Sequence, residues 1–237
     1  MQWQSCAITD TGKVRKLNED SIFQNDQQHI WAVADGMGGH HRGDLASQTV
    51  VKQLHNYCVT QHSGIAVQSI DSLLHTANAE LVGKAAEIDS GIIATTAAVL
   101  TCSRQSIICS WVGDSRVYRY REGCLTQLTR DHSYESILED LRNKGESVEH
   151  VMVDTQTLTR GVGAESELIV EHCMFQVNRG DRYLICTDGL YKEVSDVELR
   201  HTYNTIHRDQ ELLEKLHHDY LSAGARDNLG LILLTAT

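Results

Sequence analysis

The 237-residue chain contains no proline, where ordinary usage would supply roughly a dozen. Pro-rich linkers and polyproline recognition segments are thereby excluded. No stretch approaches the ~18 consecutive apolar residues that a membrane span requires. Residues Met1 to Asp10 lack a basic n-region and an apolar h-region, so no secretory signal peptide is expected. Basic residues do not cluster. The 32 Asp and Glu outnumber the 21 Lys and Arg, for a formal charge of −11. A nucleic-acid binder needs the opposite balance, because the phosphate backbone demands a basic footprint. Internal repeats, low-complexity tracts and composition breaks are missing too. The seven cysteines are odd in number and show no C-x-x-C spacing, and most sit in apolar runs such as Ile107-Ile108-Cys109. That pattern reads as buried free thiols in a reducing, cytoplasmic compartment, not as a disulfide or zinc framework.

What is present is a globular composition, 41% hydrophobic and 22% charged, in one expected domain over residues 1–237. Apolar, β-rich segments occur at Gln4–Thr9, His29–Ala34, Ile92–Cys102, Ser106–Val112, Leu168–Phe175, Tyr183–Thr187 and Leu229–Thr235. Arg116–Tyr120 and Cys124–Leu128, joined at Glu122-Gly123, read as a hairpin. Leu45, Thr49, Val50, Leu54 and Tyr57 recur at helical spacing, as do Ile70, Leu73, Leu74, Ala77 and Leu81. Ser195 with Glu198 forms a capping-box pattern. Leu212 to Tyr220 marks a further helix, with Gly224 placed to end it. The acid-rich run from Glu135 to Glu149 reads as a solvated helix face. Strands and helices come in blocks, which favours a layered α+β fold over a parallel α/β sheet. Trp3, Trp31 and Trp111 fall on expected strands and read as core.

Three apolar strands end in an Asp beside a Gly, at Asp35-Gly36, Gly113-Asp114 and Asp188-Gly189, and Asp227-Asn228 precedes a fourth. In antiparallel sheets the end of one strand lies beside the start of the next, so all four carboxylates can meet at one edge. Asp-Gly is also an ordinary turn pair. Four together are less easily explained that way, because gathered carboxylates repel unless protonated or paired with a cation. An oxygen-only set suits Mg²⁺ or Mn²⁺, and a two-metal oxygen site activates water for phosphoester hydrolysis. Upstream, Arg15 offers a planar fork for a phosphoryl group, and Glu19 and Asp20 add carboxylates. Ser115 has no candidate base beside it, so a serine nucleophile is not expected. The thirteen histidines are dispersed; the His40-His41 and His217-His218 pairs read as surface residues, not zinc ligands.

In this order the motifs resemble the type 2C, metal-dependent Ser/Thr protein phosphatases in their compact bacterial form. The matching pieces are Asp10…Arg15…Asn18-Glu19-Asp20, Val33-Ala34-Asp35-Gly36-Met37-Gly38-Gly39-His40, Ala94-Thr95-Thr96 and Val112-Gly113-Asp114-Ser115-Arg116. They continue through Leu128-Thr129-Arg130-Asp131-His132-Ser133, Leu158-Thr159-Arg160, Thr187-Asp188-Gly189-Leu190 and Asp227-Asn228, and together span residues 9 to 228. The resemblance implies a four-layer αββα sandwich, two antiparallel sheets flanked by helices, with a metal cleft at one edge. It implies two core Mn²⁺ or Mg²⁺ ions: Asp35 bridges both, the Gly36 carbonyl ligates one, and Asp188 and Asp227 bind the other. Glu19 then acts largely through water, with Asp20 close by, and Asp114 with Asp188 takes a third, weaker ion. Arg15 matches the phosphate-binding arginine. A water activated by the metals attacks phosphorus in line, with no phosphoenzyme.

The chain departs from the family pattern in four places. Ala94 stands where Gly is usual, and Gly161-Val162-Gly163 where Ala-Leu-Gly is usual. Met37 occupies the place where animal relatives carry a His proposed as general acid, which leaves His40 or a metal-bound water as proton donor. Residues 133–157 correspond to the variable flap. The function implied is dephosphorylation of phosphoserine and phosphothreonine on proteins, opposing a bacterial Ser/Thr kinase, by a monomer that binds neither nucleic acid nor membrane. Two other readings stand beside it. One is a catalytically silent regulatory module, which would have lost a ligand or the arginine; neither is lost here. The other is a hydrolase of small phosphoesters, distinguishable only by flap and cleft shape.

Overall fold

A computed structural model describes residues 1–38, 42–60, 67–88, 91–103, 106–148 and 154–237. The order opens with β1 (Trp3–Asp10), β2 (Asp20–Asn25) and β3 (Ile30–Gly38), followed by α1 (Gly43–Thr60) and α2 (Val67–Glu87). A run of strands comes next: β4 (Ile93–Thr95), β5 (Ala97–Ser103), β6 (Ser106–Val112), β7 (Arg116–Arg121) and β8 (Cys124–Gln127). Then come α3 (Tyr134–Asn143), β9 (Glu171–Gln176), β10 (Arg182–Cys186), α4 (Asp188–Tyr191), α5 (Asp196–Thr205), α6 (Asp209–Ala223) and β11 (Leu229–Ala236).

Two antiparallel sheets result. One has the order β1-β11-β10-β7-β8, the other β2-β3-β5-β6-β9, with β4 paired to β3. The period of two along each strand sorts side chains into layers. On β3, Trp31 and Val33 join Trp3, Leu100, Trp111, Val117, Tyr183, Ile185 and Ile232 between the sheets. Ile30, Ala32 and Ala34 of the same strand face outward against Val50 and Leu54 of α1 and Leu74 and Leu81 of α2. On the far side, Leu184, Leu231 and Leu233 pack under Leu199 of α5 and Leu212 and Leu216 of α6. Central strands buried on both faces explain why they read as unbroken apolar runs. The expected layered αββα arrangement is what forms, and all three tryptophans lie in the core.

Local signals act as physics dictates. Glu122 (φ 50°) and Gly123 (φ 80°) supply the two positive-φ positions of a tight hairpin between β7 and β8. Ser195 and Glu198 make the reciprocal capping box of α5. Gly224, at φ 134°, ends α6. Several expectations need correction. Ile92–Cys102 is two strands, because the chain breaks at Thr96, whose side chain and backbone both turn to Asp35. The strand expected at Leu168–Phe175 begins only at Glu171. Of the cysteines, Cys102, Cys109 and Cys186 are buried, whereas Cys124 is exposed.

Candidate active site

The acids reach one end of the sandwich from both sheets. Asp20 opens β2 and is the register partner of Asp35 on β3. Asp114 lies just beyond β6, Asp188 just beyond β10, and Asp227 just before β11. The same end receives the loop between β1 and β2, which carries Arg15 and Glu19. Asn228 ties that loop down: its Oδ1 accepts from the Glu19 N–H (2.9 Å), and its Nδ2 donates to the carbonyls of Thr11 (2.8 Å) and Leu17 (2.9 Å). Gly189 lets Asn228 come this near, since a Cβ there would stand 1.9 Å from the Asn228 carbonyl oxygen. Gly36 is equally constrained, by Gly43 at the start of α1.

Asp35 is held by its backbone. Its N–H donates to Thr96 Oγ1 (2.9 Å), and its carbonyl accepts from Thr95 Oγ1 (2.9 Å) and the Thr96 N–H (2.8 Å). Thr96 Oγ1 in turn meets Ser115 Oγ at 2.6 Å, next to Asp114. Asp20 Oδ2 accepts from Thr187 Oγ1 at 2.7 Å, next to Asp188. His132, buried, accepts the Gly113 N–H at its ring Nδ1 (3.1 Å) and donates its backbone N–H to the Gly113 carbonyl (3.0 Å), fixing the turn that presents Asp114. Burial, reinforced by the Arg160 charge, pushes the His132 imidazole below its ordinary pKa.

Electrostatics mark these groups as unusual. Asp35 keeps some solvent contact but is densely ringed by protein. Burial first, then repulsion from Asp20, Asp188, Asp114 and Asp227, holds its carboxyl well above the usual range. Burial and the charges of Asp188 and Asp227 push Asp20 up to about 8, although Thr187 works against this. Burial and Asp188 push Asp114 up to about 7. Such clusters of displaced carboxyls concentrate at functional sites.

The buried Oδ1 atoms of Asp20 and Asp188 have no hydrogen-bond partner among the described residues. Buried acceptors are nearly always satisfied, so two unsatisfied ones in an all-oxygen, acidic setting fit hard divalent cations. Among the described residues no three acidic, His or Cys side chains yet close round one point as a ligand cage. Two of the acids are engaged instead by the chain's own cations. Arg15 Nη2 donates to Asp227 Oδ2 at 2.8 Å, and Lys192 Nζ donates to Asp188 Oδ2.

Glu19 does more than was expected of it. Its Oε1 accepts the Gly43 N–H at 2.9 Å, so it caps α1 from another element. The sequence places Thr187 and Asn228 inside motifs without assigning either a role, and it does not single out Lys192. For Lys192 a signal existed, because a Lys four residues after Asp188 lies on the same helical face. His40, the possible proton donor, lies outside the described residues, as does part of the flap.

The model of the protein phosphatase 2C family matches residues 13–229. The chain belongs to the protein phosphatase 2C family. The serine/threonine phosphatase stp of Listeria monocytogenes is 31% identical over 237 residues, covering 95% of this chain and 93% of the relative. The solved structure of PppA, a key regulatory component of T6SS in Pseudomonas aeruginosa, shares 30% identity at a TM-score of 0.89, over 100% of this chain and 99% of that one. PstP, a Mycobacterium tuberculosis protein, is known as a catalytic domain in complex with two manganese ions. That structure shares 28% identity at a TM-score of 0.85, covering 99% of this chain and 98% of that one. As a protein phosphatase 2C, the chain is a metal-dependent enzyme, and the acid cluster lies where its two sheets meet. None of its described helices is long and apolar enough to cross a membrane.

Proposed function

We propose that residues 1–237 form one catalytic domain that removes phosphate from phosphoserine and phosphothreonine on proteins, opposing a Ser/Thr kinase. The observation that carries this reading is the gathering of Asp20, Asp35, Asp114, Asp188 and Asp227 with Arg15 at their rim. Asp35, Asp188, Asp227 and the Gly36 carbonyl are the proposed holders of two Mn²⁺ or Mg²⁺ ions, with Glu19 and Asp20 supporting them. When bound, such a pair of ions supplies a nucleophilic water at neutral pH and neutralises phosphoryl charge. A third, weaker ion at Asp114 and Asp188 is a finer part of the proposal.

The protein's own groups supply the rest. Half-exposed Arg15 presents its guanidinium beside Asp227, and its fork can transfer from that carboxylate to two phosphoryl oxygens. Asn228 and Gly12 position the loop that carries it: the Gly12 N–H donates to Asp10 Oδ1 at 2.8 Å, and Asp10 Oδ2 meets His217 Nε2 at 2.6 Å. His40 remains a proposed proton donor. Free thiols throughout support a reducing, cytoplasmic setting, and a monomer is proposed.

The test is hydrolysis of p-nitrophenyl phosphate and of a phosphothreonine peptide in the presence of Mn²⁺. Activity should vanish with EDTA and in Asp188→Ala. Equal rates under either change defeat the reading. A strong preference for small metabolite phosphates over the peptide would shift it to a small-molecule phosphatase.

A further inference from the structure

The corner of the cleft formed by Asp114 and Asp188 already contains a positive charge. Lys192 lies one helical turn after Asp188, and its backbone N–H donates to the Asp188 carbonyl at 3.0 Å. That turn directs the four-carbon stem back over Asp188, where Nζ donates to Oδ2 while Oδ1 has no partner. The Asp188 side chain is 11% exposed and Asp114 is buried, whereas the Lys192 side chain is 40% exposed, which gives its ammonium a path to solvent. The neighbouring Arg116 is not available for this role. It is committed to Asp131 through three hydrogen bonds of 2.8–3.1 Å and lies over the Tyr191 ring, 3.6 Å from its centroid. Tyr191 closes the corner from the other side, with its hydroxyl donating to the Asp114 carbonyl at 3.1 Å.

We propose that the Lys192 ammonium is the resident cation of the Asp114–Asp188 corner, so that a third divalent ion enters only by displacing it. This rests on the reading that Asp35, Asp188 and Asp227 hold the first two ions. A divalent ion and an ammonium a few ångströms apart repel strongly even at the effective dielectric of a protein surface. The third ion therefore has to break the Lys192–Asp188 pair and drive the ammonium into solvent. In this chain a single lysine sets third-ion affinity, and the enzyme runs with two ions at concentrations that would load a third in a relative without that lysine.

The test is a Mn²⁺ titration read by the electron paramagnetic resonance signal of free Mn²⁺, with no substrate present. The proteins are wild type, Lys192→Met, Lys192→Arg and Lys192→Met with Asp114→Asn. Two tight equivalents are expected in all four. The third ion should bind Lys192→Met roughly tenfold or more tightly than wild type, return to wild-type affinity in Lys192→Arg, and disappear in the double variant. Equal third-ion affinity in wild type and Lys192→Met overturns the proposal, as does a third equivalent that survives Asp114→Asn. Fewer than two tight equivalents in wild type overturns the underlying two-ion reading, and this proposal with it. The melting temperature gives a second readout: only Lys192→Met should keep gaining stability as Mn²⁺ rises beyond the first two equivalents.

Discussion

Strand β10 has a buried aspartate beyond each end, and the surroundings treat the two in opposite ways. Asp181, just before the strand, is 1% exposed. It accepts from Arg121 at Nε and Nη2 (2.6 Å each), from the Asn178 N–H (2.8 Å) and from the Tyr183 hydroxyl (3.2 Å). Burial opposes the charge, but the donors from Arg121 and Asn178 outweigh it and hold the carboxyl below its ordinary range. Asp188, just past the other end, keeps a bare Oδ1 and lies among acids whose pKa values are pushed up. One end uses its carboxylate to close the architecture; the other leaves buried carboxylate oxygens unpaired among the described residues. Burial alone does not separate these roles, but completeness of hydrogen bonding does.

The sharpest way to break this contrast is to remove a charge at each end. Asp35→Asn should lower kcat/KM for p-nitrophenyl phosphate by on the order of a thousandfold, the scale of losing a preorganised charge at a reaction centre. It should at the same time raise the melting temperature of the metal-free protein, because it relieves repulsion. A loss under tenfold would remove Asp35 from the site. Asp181→Ala should do the reverse. Leaving Arg121, the Asn178 N–H and the Tyr183 hydroxyl without their acceptor costs about 2–4 kcal/mol, or roughly 10 °C in melting temperature. The activity of the folded fraction should stay within about twofold. An Asp181→Ala protein that melts normally but is inactive would erase the distinction.

The third effect is a pH dependence of sign opposite to that of an ordinary carboxylate. Asp20 and Asp114 titrate near 8 and 7 in the fold, against about 3.9 in an unfolded chain. Between those limits the native state binds more protons than the unfolded one, so stability is greatest below about pH 4 in this term and is lost as pH rises toward 8. The metal-free protein should therefore lose several degrees of melting temperature between pH 5 and 8, and saturating Mn²⁺ should restore them. Differential scanning fluorimetry with and without EDTA measures this. A metal-free melting temperature that is flat or rises across the window contradicts the repulsion.

How much of this was legible beforehand differs between the two ends as well. The acid end announces itself, because four strand termini carry an Asp beside Gly or Asn and the order of motifs is distinctive. The satisfied end is invisible: Arg121 and Asp181 are 60 residues apart, and nothing local joins them. The same limit hid β2, whose DSIFQN sequence alternates poorly and is a strand because β3 pairs with it from Asp20 to Asn25. It hid the capping of α1 by Glu19, 24 residues upstream. Helix α4 spans only four residues, too few for a periodic signal. Local chemistry and period can be read along the chain, whereas a partner set by topology cannot.

The smallest expected effect tests whether a departure from the family pattern lies at the acid end at all. Ala94, where Gly is usual, is buried in β4 opposite Met37 on β3. Its methyl group is turned toward Gly161: a Cβ built on that glycine would meet Ala94 Cβ at 3.6 Å, an ordinary contact. The next two residues are the ones that bond Asp35, so Ala94 can reach the acids only by shifting its own backbone, and the fit against Gly161 gives it no cause to. Ala94→Gly should thus behave like a change at the satisfied end. It adds freedom to the unfolded chain and costs about 1 kcal/mol, a few degrees at most, with kcat/KM and Mn²⁺ affinity within about twofold of wild type. A tenfold change in either, at unchanged stability, would mean that the β4 backbone tunes Thr95 and Thr96, and that the acid end extends one residue deeper than its hydrogen bonds indicate.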